Sequence, residues 1–178
     1  MKKRSLSLSK VYTLIEPGPV VLITTAHKGK QNVMPLAWHT MIEFTPPLIG
    51  CVLSNKNFSF TALTKTKECV ISIPTVELAK QVVGCGGCSG KTVDKFTKFG
   101  LTPEKASIVG APLIGECYAN LECRIFDAKL ANTYNFFILE VVKAWINPSI
   151  TDVRTIHHQG KDKFAVDGEI ISIPTKVL

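Results

Sequence analysis

The stretch at residues 32–61 constrains the fold more than any other part of the chain, because it contains Pro46 and Pro47 in succession. Two consecutive prolines exclude a helix at this point, and the residue before a proline favours an extended backbone. The apolar run at residues 48–53 follows directly and carries no charge, which is typical of a buried strand. We therefore expect the chain to enter a sheet here.

A polar cluster follows this predicted strand and precedes a helical pattern at residues 60–65. The cluster consists of Ser54, Asn55, Lys56, Asn57 and Ser59. Backbone N–H groups at a helix start, short polar side chains and one cation can together bind a phosphate. A strand, a polar turn and a capped helix explain the same residues without a ligand. The cluster alone leaves both interpretations open.

The remaining pattern is mostly β. Predicted strands lie at residues 19–26, 48–53, 68–73, 112–129 and 133–146, with a further strand that holds Met34 and Trp38 and short extended pieces around Phe164 and Ile170. Predicted helices lie at residues 6–15, 60–65 and 93–99, and one more begins after Thr75. Long strands with a few intervening helices favour a mainly β fold, a Greek-key barrel with decorating helices.

Local signals predict two helix starts and one hairpin. Thr75 is expected to cap a helix that has Val76, Ala79 and Val83 on one face. Thr92 is expected to cap the helix at residues 93–99. The strands at residues 112–129 and 133–146 are expected to pair around residues 130–132.

Composition narrows the class of protein. The chain has 178 residues, and we predict that residues 1–178 form a single domain. Its longest apolar runs are shorter than the ~18–20 residues that a spanning helix needs, and its basic opening is followed by serines rather than an apolar core, so we expect a cytoplasmic protein. The net charge of +7 favours anionic ligands. The lysines are scattered and lack interleaved aromatic residues, so we expect no nucleic acid and no membrane as partner.

Six cysteines fall into two groups. Cys51, Cys69, Cys117 and Cys123 lie in strand-like runs, where a free cysteine behaves as a small buried hydrophobe. Cys85 and Cys88 form the motif C-G-G-C in a loop at residues 84–90. Such a pair supplies half of a structural zinc site or a redox-active dithiol, and the alternative is a flexible loop whose glycines matter most. The four histidines are not spaced to complete a zinc site, so we predict no metal.

Several motifs in a fixed order resemble a known family. They are N-x-M-P-x-A-W-H at residues 32–39, F-x-P-P at 44–47, N-x-S-F at 57–60, and the segments 88–106, 112–123, 134–142 and 157–168. Together they span about residues 10–173 and resemble the flavin reductase-like family of FMN-binding split barrels, within it most closely the flavoredoxin branch. The resemblance implies a Greek-key split barrel that binds FMN.

The resemblance also implies roles for particular residues. In this family the segment Pro35 to His39 passes the flavin ring, the polar cluster contacts the ribityl chain and phosphate, and a lysine binds the phosphate. The implied cofactor-binding residues are Pro35, Leu36, Ala37, Trp38, His39, Ser54, Asn55, Lys56, Asn57, Ser59, Ser89 and Lys95. His157 is the implied catalytic residue, on the side where an electron donor stacks.

Each of these roles has a plainer alternative. Trp38 and His39 are neighbours on a predicted strand, so their side chains point to opposite faces, and a packed Trp38 with a surface His39 is the default. Lys95 is otherwise a solvated helix lysine. His157 is otherwise an exposed residue in a polar loop.

The resemblance implies a flavoprotein oxidoreductase, an NAD(P)H-dependent flavin or ferric reductase that passes hydride or electrons through FMN. Two alternatives are a flavoredoxin-type electron carrier without its own nicotinamide site and a thiol-redox protein that uses Cys85 and Cys88. No G-x-G-x-x-G motif for a nicotinamide nucleotide is present. The electron donor is expected to be a nicotinamide nucleotide or a redox partner protein. A homodimer is also implied, with the strand at residues 139–146, which carries Trp145, as one candidate interface.

Overall fold

The computed structural model describes residues 18–169 and residue 171. The predicted helix at residues 6–15 and the extended piece around Ile170 lie outside these residues. The strands are β1 (Val21–His27), β2 (Lys30–Leu36), β3 (His39–Glu43), β4 (Leu48–Val52), β5 (Glu68–Ile73), β6 (Pro103–Glu104), β7 (Leu113–Ile114), β8 (Ala119–Asp127), β9 (Phe136–Ile146), β10 (Ile156–His158) and β11 (Phe164–Val166). The helices are α1 (Phe58–Thr66), α2 (Ala79–Gly86), α3 (Lys95–Phe99) and α4 (Ala131–Tyr134), and a 3₁₀ turn at Val76–Leu78 precedes α2. Within the described part of the chain, no helix has the length and apolar character needed to cross a membrane.

Seven strands form one antiparallel sheet in the order β2-β1-β5-β8-β9-β4-β3. Its outer strands, β2 and β3, are separated along the chain only by Ala37 and Trp38. Three extended residues span at most ~11 Å, so the two edges of the sheet lie close together at this link. The sheet therefore curls into a barrel, and the predicted mainly β architecture is confirmed.

Strand β1 is buried on both faces and separates two apolar cores. Val21 and Ile23 belong to the core inside the barrel. Leu22 belongs to a second core, where it joins Val82 of α2 and Phe96 of α3. Successive side chains of a strand point to opposite faces, so a strand between two cores begins as a continuous apolar run. The second core holds α2 and α3 against the outside of the barrel, and these helices position the candidate site.

The predicted starts of α2 and α3 are wrong in detail. Thr75 makes no side-chain capping hydrogen bond, and α2 buries Val82 and Cys85, whereas Val83 is 50% exposed. The 3₁₀ turn before α2 winds more tightly than an α-helix and rotates the buried face away from the predicted one. Helix α3 is capped by Asp94 rather than Thr92, because its carboxylate accepts hydrogen bonds from the N–H groups of the first helical turn.

The long hairpin is confirmed, with two corrections. Strand β8 pairs with β9, but it begins at Ala119, and the earlier residues Leu113–Ile114 pair with β6 instead. The connection between β8 and β9 contains the short helix α4. The register shifts at two places in β8, which the alternation of apolar residues does not predict.

A buried carboxylate holds the segment before β7 against this hairpin. Glu122 of β8 is fully buried and accepts hydrogen bonds from the N–H groups of Ser107, Ile108 and Val109 and from the indole N–H of Trp145. Burial alone would raise the pKa of Glu122, but these donors outweigh it and lower the pKa to about 2. The carboxylate is therefore ionised and fixed at neutral pH.

Candidate functional site

A polar cleft of about 420 Å³ lies where β2, the start of α1, the end of α2 and the start of α3 meet. It is lined by Asn32, Met34, Pro35, Lys56, Asn57, Phe58, Cys85, Gly86, Gly87, Cys88, Ser89, Gly90 and Lys95. Helices α2 and α3 pack on the outer face of β1 and β2, so the glycine-rich segment between them lies opposite the polar cluster that follows β4. Residues far apart in the sequence thus form one site.

Lys95 is the buried cation of the polar cleft. It is only 4% exposed, and its Nζ donates a hydrogen bond to the carbonyl oxygen of Cys85 at 2.6 Å. Burial lowers the pKa of Lys95. No Asp or Glu in the described part of the chain forms a salt bridge with it. The plainer alternative, a solvated helix lysine, is therefore excluded, and the ammonium retains N–H donors for an anion in the cleft.

Asn32 belongs to a buried polar group beside this cation. It is 4% exposed, and its Nδ2 donates to Ser59 Oγ at 2.7 Å. Ser59 also accepts a hydrogen bond from Thr25 Oγ1 at 3.2 Å. Oδ1 of Asn32 is buried and has no hydrogen-bond partner among the described residues. This oxygen, which lies against Gly90, is therefore a buried acceptor whose bonding capacity is unused among the described residues.

Two glycines let the loop approach β2 closely. A Cβ atom on Gly90 would overlap the amide oxygen of Asn32, and a Cβ atom on Gly86 would lie 3.0 Å from Cγ of Pro35. Gly90 therefore requires the absence of a side chain for steric reasons, whereas a Cβ atom at Gly86 would require Pro35 to shift by a few tenths of an ångström. Glycine-rich backbone that approaches a site this closely is a common way to cradle an anionic group.

An apolar cleft of about 390 Å³ adjoins the polar cleft, and the two share Pro35 and Gly86. It is lined by Val20, Pro35, Ala37, Val82, Val83, Gly86, His158, Lys161 and Phe164. The hairpin of β10 and β11 supplies His158 and Phe164, whose ring centroids are 5.2 Å apart. The two clefts therefore form one joined site, of which one part is polar and cationic and the other is lined mainly by apolar residues.

The structure brings some of the predicted cofactor-binding residues together. Pro35, Lys56, Asn57, Ser89 and Lys95 line the polar cleft, and Pro35 and Ala37 line the apolar cleft. The others lie outside the linings of both clefts: Leu36, Trp38, His39, Ser54, Asn55 and Ser59. Leu36 belongs to the barrel core, and the backbone N–H of Asn55 donates to Asn135 Oδ1. Their roles in binding stay predictions.

The default arrangement of Trp38 and His39 is wrong. Trp38 is 54% exposed, and it lies in the link between β2 and β3 rather than within a strand. His39 is half-buried, and its Nε2 donates to the carbonyl oxygen of Pro19 at 2.7 Å. The end of the strand at Leu36 removes the simple alternation on which the prediction depended.

His157 lies on β10 and contacts Asp167. Its Nε2 is 2.6 Å from Asp167 Oδ1 and 3.0 Å from Thr155 Oγ1. The N–H of Thr155 is the main cause of a lowered pKa of Asp167. The next residue, His158, lines the apolar cleft instead. Sequence reasoning missed His158 and Asn32, although both lie inside the motifs that carried the resemblance, because those motifs do not indicate which neighbour faces a cavity.

The cysteines divide only in part as predicted, because Cys85 is as buried as the four predicted strand cysteines and lies in helix α2 rather than in a loop. Cys51, Cys69, Cys117 and Cys123 are buried, although Cys117 lies between β7 and β8 rather than in a strand. Cys85 is buried at the end of α2, where burial raises its pKa to about 11, and Cys88 is half-buried. Cys85 and Cys88 both line the polar cleft, a location that the sequence did not indicate.

Comparisons with known proteins identify the family. Residues 14–164 match the model of the flavin reductase-like domain. An uncharacterised protein of Archaeoglobus fulgidus is 33% identical over 113 residues, which cover 64% of each chain. The uncharacterised protein YddH of Escherichia coli is 29% identical over 173 residues, which cover 89% of this chain and 92% of YddH.

Solved structures share the fold. The FMN-binding domain of a flavin reductase-like enzyme from Shewanella baltica superposes with a TM-score of 0.82 at 25% identity and covers 96% of this chain and 97% of that one. Flavoredoxin of Desulfovibrio vulgaris superposes with a TM-score of 0.86 at 24% identity and covers 99% of this chain and 98% of that one. A putative flavin reductase from Shewanella frigidimarina with a split-barrel domain has a TM-score of 0.78 at 21% identity and covers 96% of this chain and 94% of that one. The chain therefore belongs to the flavin reductase-like family and has the split-barrel fold.

Proposed function

We propose that this chain binds FMN across the two joined clefts and is an NAD(P)H-dependent flavin or ferric reductase. The observation that carries the proposal is a polar cleft that contains Lys95 and adjoins a mainly apolar cleft. FMN has the matching shape, because a flat ring is joined through a ribityl chain to a phosphate. Each cleft is within the ~300–1,000 Å³ typical of small-molecule sites.

The residues of the polar cleft fit the phosphate end. Lys95 retains N–H donors and has no carboxylate partner among the described residues. Lys56 adds a second cation, and Ser89 and Asn57 add short polar side chains. Gly86 and Gly90 let the backbone of the glycine-rich segment pack closely against β2 beside this cleft. Among the described residues no Asp or Glu lines this cleft, so no described carboxylate on its walls repels an anion.

The apolar cleft fits the ring end. Pro35 in β2 and Ala37 in the link between β2 and β3 belong to the segment that the family resemblance associates with the flavin ring. Val82 and Phe164 supply apolar surface that excludes water from one side. Bound FMN supplies transfer of hydride or single electrons, and the protein supplies binding, orientation and exclusion of solvent.

A titration with FMN tests binding. We expect flavin fluorescence or absorbance to change at micromolar FMN. Lys95→Met should weaken binding by about 10- to 100-fold, because it removes a charge-assisted hydrogen bond to the phosphate. Lys98→Met is the matched control, since Lys98 is an exposed lysine on the same helix. A colourless protein whose addition leaves the FMN spectrum unchanged would contradict the proposal.

Anaerobic reduction tests the donor. A relative named as the reductase component of a 4-nitrophenol monooxygenase from Rhodococcus opacus is 27% identical over 128 residues, which cover 70% of this chain and 64% of the relative. This relative favours the reductase over the electron carrier. NADH or NADPH should bleach the bound flavin within seconds, with turnover when free FMN or ferric iron is added. Bleaching by reduced ferredoxin alone would favour the flavoredoxin-type carrier.

The thiol-redox alternative has one supporting observation, which is that Cys85 and Cys88 line the polar cleft. Replacement of both with Ser separates the two functions. Full reductive activity of the double variant would exclude a thiol role, and loss of activity with FMN still bound would support one.

We also propose a homodimer. Met41 and Ile42 on the edge strand β3 and Phe44 beyond it are exposed, which is unusual for a cluster of large apolar residues. Strand β9 lies inside the sheet, and at its end Trp145 and Ile146 remain exposed. Either surface suits a self-complementary interface. Sedimentation at micromolar concentration should give a species of twice the monomer mass of 19.5 kDa. Phe44→Asp should shift it to the monomer if β3 forms the interface.

A further inference from the structure

Cys85 and Cys88 lie one helical turn apart at the end of α2. Gly87, which follows the helix, keeps right-handed helical dihedral angles of φ −78° and ψ −3°, so the helical path continues to Cys88. Residues three apart on such a path have Cβ atoms about 5–6 Å apart. The thiol of Cys88 donates back to the carbonyl oxygen of Gly84 at 3.7 Å, which places its sulfur against the last turn of the helix. The two thiols are therefore neighbours.

The two thiols differ in their access to solvent. Cys88 is half-buried, whereas Cys85 and the other four cysteines of the chain are buried. Burial raises the pKa of Cys85 to about 11, although Lys95 opposes this rise. An oxidant that enters from solvent therefore meets Cys88 first, and Cys85 is the thiol beside it.

A disulfide between the two residues requires only a small movement. In a disulfide the Cβ atoms lie about 3.5–4.5 Å apart, so the two residues have to approach by roughly 1–2 Å. Cys85 belongs to the second apolar core, which holds it in place, so Cys88 is the residue that moves. Gly86 and Gly87 separate the two and give the backbone the freedom to adjust.

Movement of Cys88 alters the polar cleft, because the chain that follows it carries part of the lining. Ser89 lines the cleft, and its carbonyl oxygen accepts a hydrogen bond from the N–H of Val93 at 3.1 Å, two residues before Lys95. Nζ of Lys95 donates to the carbonyl oxygen of Cys85. The disulfide therefore displaces Ser89 relative to Lys95, and these are two of the groups that the proposed function assigns to the phosphate end of FMN.

We propose that Cys85 and Cys88 form a reversible disulfide on reaction with a peroxide, and that this disulfide lowers the affinity of the polar cleft for FMN. The control of affinity rests on the proposed function, since it regulates the same FMN site, whereas formation of the disulfide does not. The proposal differs from the thiol-redox alternative, because here the thiols take no part in the flavin reaction.

The reaction with hydrogen peroxide takes place in two steps. The sulfur of Cys88 attacks one oxygen of the peroxide, the O–O bond breaks, and Cys88 becomes a sulfenic acid while the other oxygen leaves as water. The sulfur of Cys85 then attacks the sulfur of Cys88, the S–S bond forms, the S–O bond breaks, and the hydroxyl leaves with the proton of Cys85 as a second water. The two thiols lose two electrons and two protons, and a dithiol such as dithiothreitol returns them by exchange. Hydrogen peroxide also forms when O₂ takes two electrons from a reduced flavin, so flavin chemistry is one source of the oxidant.

Mass spectrometry of the full-length protein tests for the disulfide. After treatment with hydrogen peroxide in the dark, the protein is denatured, alkylated and digested with trypsin. The peptide at residues 81–91 contains both cysteines and no others, so it should resist alkylation and weigh about 2 Da less than the dithiol form. In Cys85→Ser this peptide should instead gain one oxygen atom, and in Cys88→Ser it should remain unoxidised. Wild-type protein in which both cysteines are still alkylated would overturn the proposal, and this result does not depend on the folding of either variant.

Titration with FMN then compares the oxidised protein with the reduced protein. We expect the affinity of the wild type to fall by about 10-fold on oxidation, the scale for loss of one hydrogen bond to a charged group, and to return after treatment with dithiothreitol. Cys88→Ser should bind FMN equally before and after peroxide. An equal loss in Cys88→Ser would assign the effect to another oxidised group and overturn the proposal.

The two experiments separate this proposal from the proposed function. A disulfide that leaves FMN affinity unchanged would overturn the control of affinity and leave the FMN site standing. Reduced wild-type protein that does not bind FMN would overturn the proposed function, and with it the control of affinity, whatever the state of the thiols.

Discussion

Replacement of Glu122 by Gln should destabilise the fold strongly, although the two side chains have almost the same shape. Oε1 accepts hydrogen bonds from the N–H and hydroxyl of Ser107 and from Trp145, and Oε2 accepts from the N–H groups of Ile108 and Val109. Glutamine keeps only one of the two oxygens. Whichever oxygen is replaced, the new NH₂ group faces two N–H donors that cannot reverse their direction.

The size of the effect follows from these contacts. Two N–H donors lose their acceptor, and each such loss in a buried site costs roughly 1–3 kcal/mol, so the free energy of unfolding should fall by about 2–6 kcal/mol. For a chain of this size, that corresponds to a decrease in Tm of roughly 4–24 °C. Few single substitutions that preserve shape have so large an effect.

Urea denaturation followed by circular dichroism measures this change, with two glutamates as controls. Glu68 accepts a hydrogen bond from only one N–H of the same segment, that of Gly110, so Glu68→Gln should cost about 1 kcal/mol. Glu77 is exposed, so Glu77→Gln should change stability by less than about 0.5 kcal/mol. If Glu122→Gln is as stable as Glu77→Gln, the carboxylate does not hold this segment and the reasoning fails.

Three further predictions concern acid stability, the glycine-rich segment and the thiols. Because the pKa of Glu122 is lowered to about 2, the stability that it contributes is present above about pH 4.5 and is lost as the pH falls towards 2, so urea midpoints should fall over this range in the wild type and much less in E122Q. Gly90→Ala should lower both Tm and FMN affinity, because its Cβ would overlap a buried amide, whereas Gly87→Ala, whose Cβ would meet nothing closer than 3.6 Å, should change Tm little. Native protein should show one fast-reacting thiol with a disulfide reagent, which Cys88→Ser should abolish, because Cys85 is buried with a pKa raised to about 11; two fast thiols would contradict this.

Local pattern predicted the strands well and the helix starts less well. Residues 48–53 and 68–73 were identified correctly as strands, because an apolar run bounded by prolines and polar residues restricts the backbone locally. The buried face of α2 was not identified correctly, because a 3₁₀ turn before the helix rotates Val82 and Cys85 into the core. The break at Ala37 also escaped prediction, because it depends on closure of the whole sheet rather than on neighbouring residues.

Sequence motifs correctly identified several residues whose side chains line the polar cleft. Lys56, Asn57, Ser89 and Lys95 were identified from motifs, and they line the polar cleft as a group. The position of Asn32 in the lining of the polar cleft was not predicted. It depends on the packing of the glycine-rich segment against strand β2, and these two segments are 50 or more residues apart along the chain. Such burial arises from tertiary packing and leaves no periodic signal in the sequence.

The curled sheet has a consequence for how the chain folds. Strands β1 and β2 are joined by a two-residue turn and can pair at once, as β4 can with β3, whereas the other side of β4 must wait for β9, in which Glu140 is the partner of Leu48. Closing a loop of about ninety residues carries a large entropic cost, and chains rich in such distant pairings fold slowly. Until β9 pairs with β4, the thiol of Cys51 on β4 remains exposed to solvent and to oxidation, although it is fully buried in the folded protein. Refolding yield should therefore depend on a reducing agent, while the folded protein tolerates its removal.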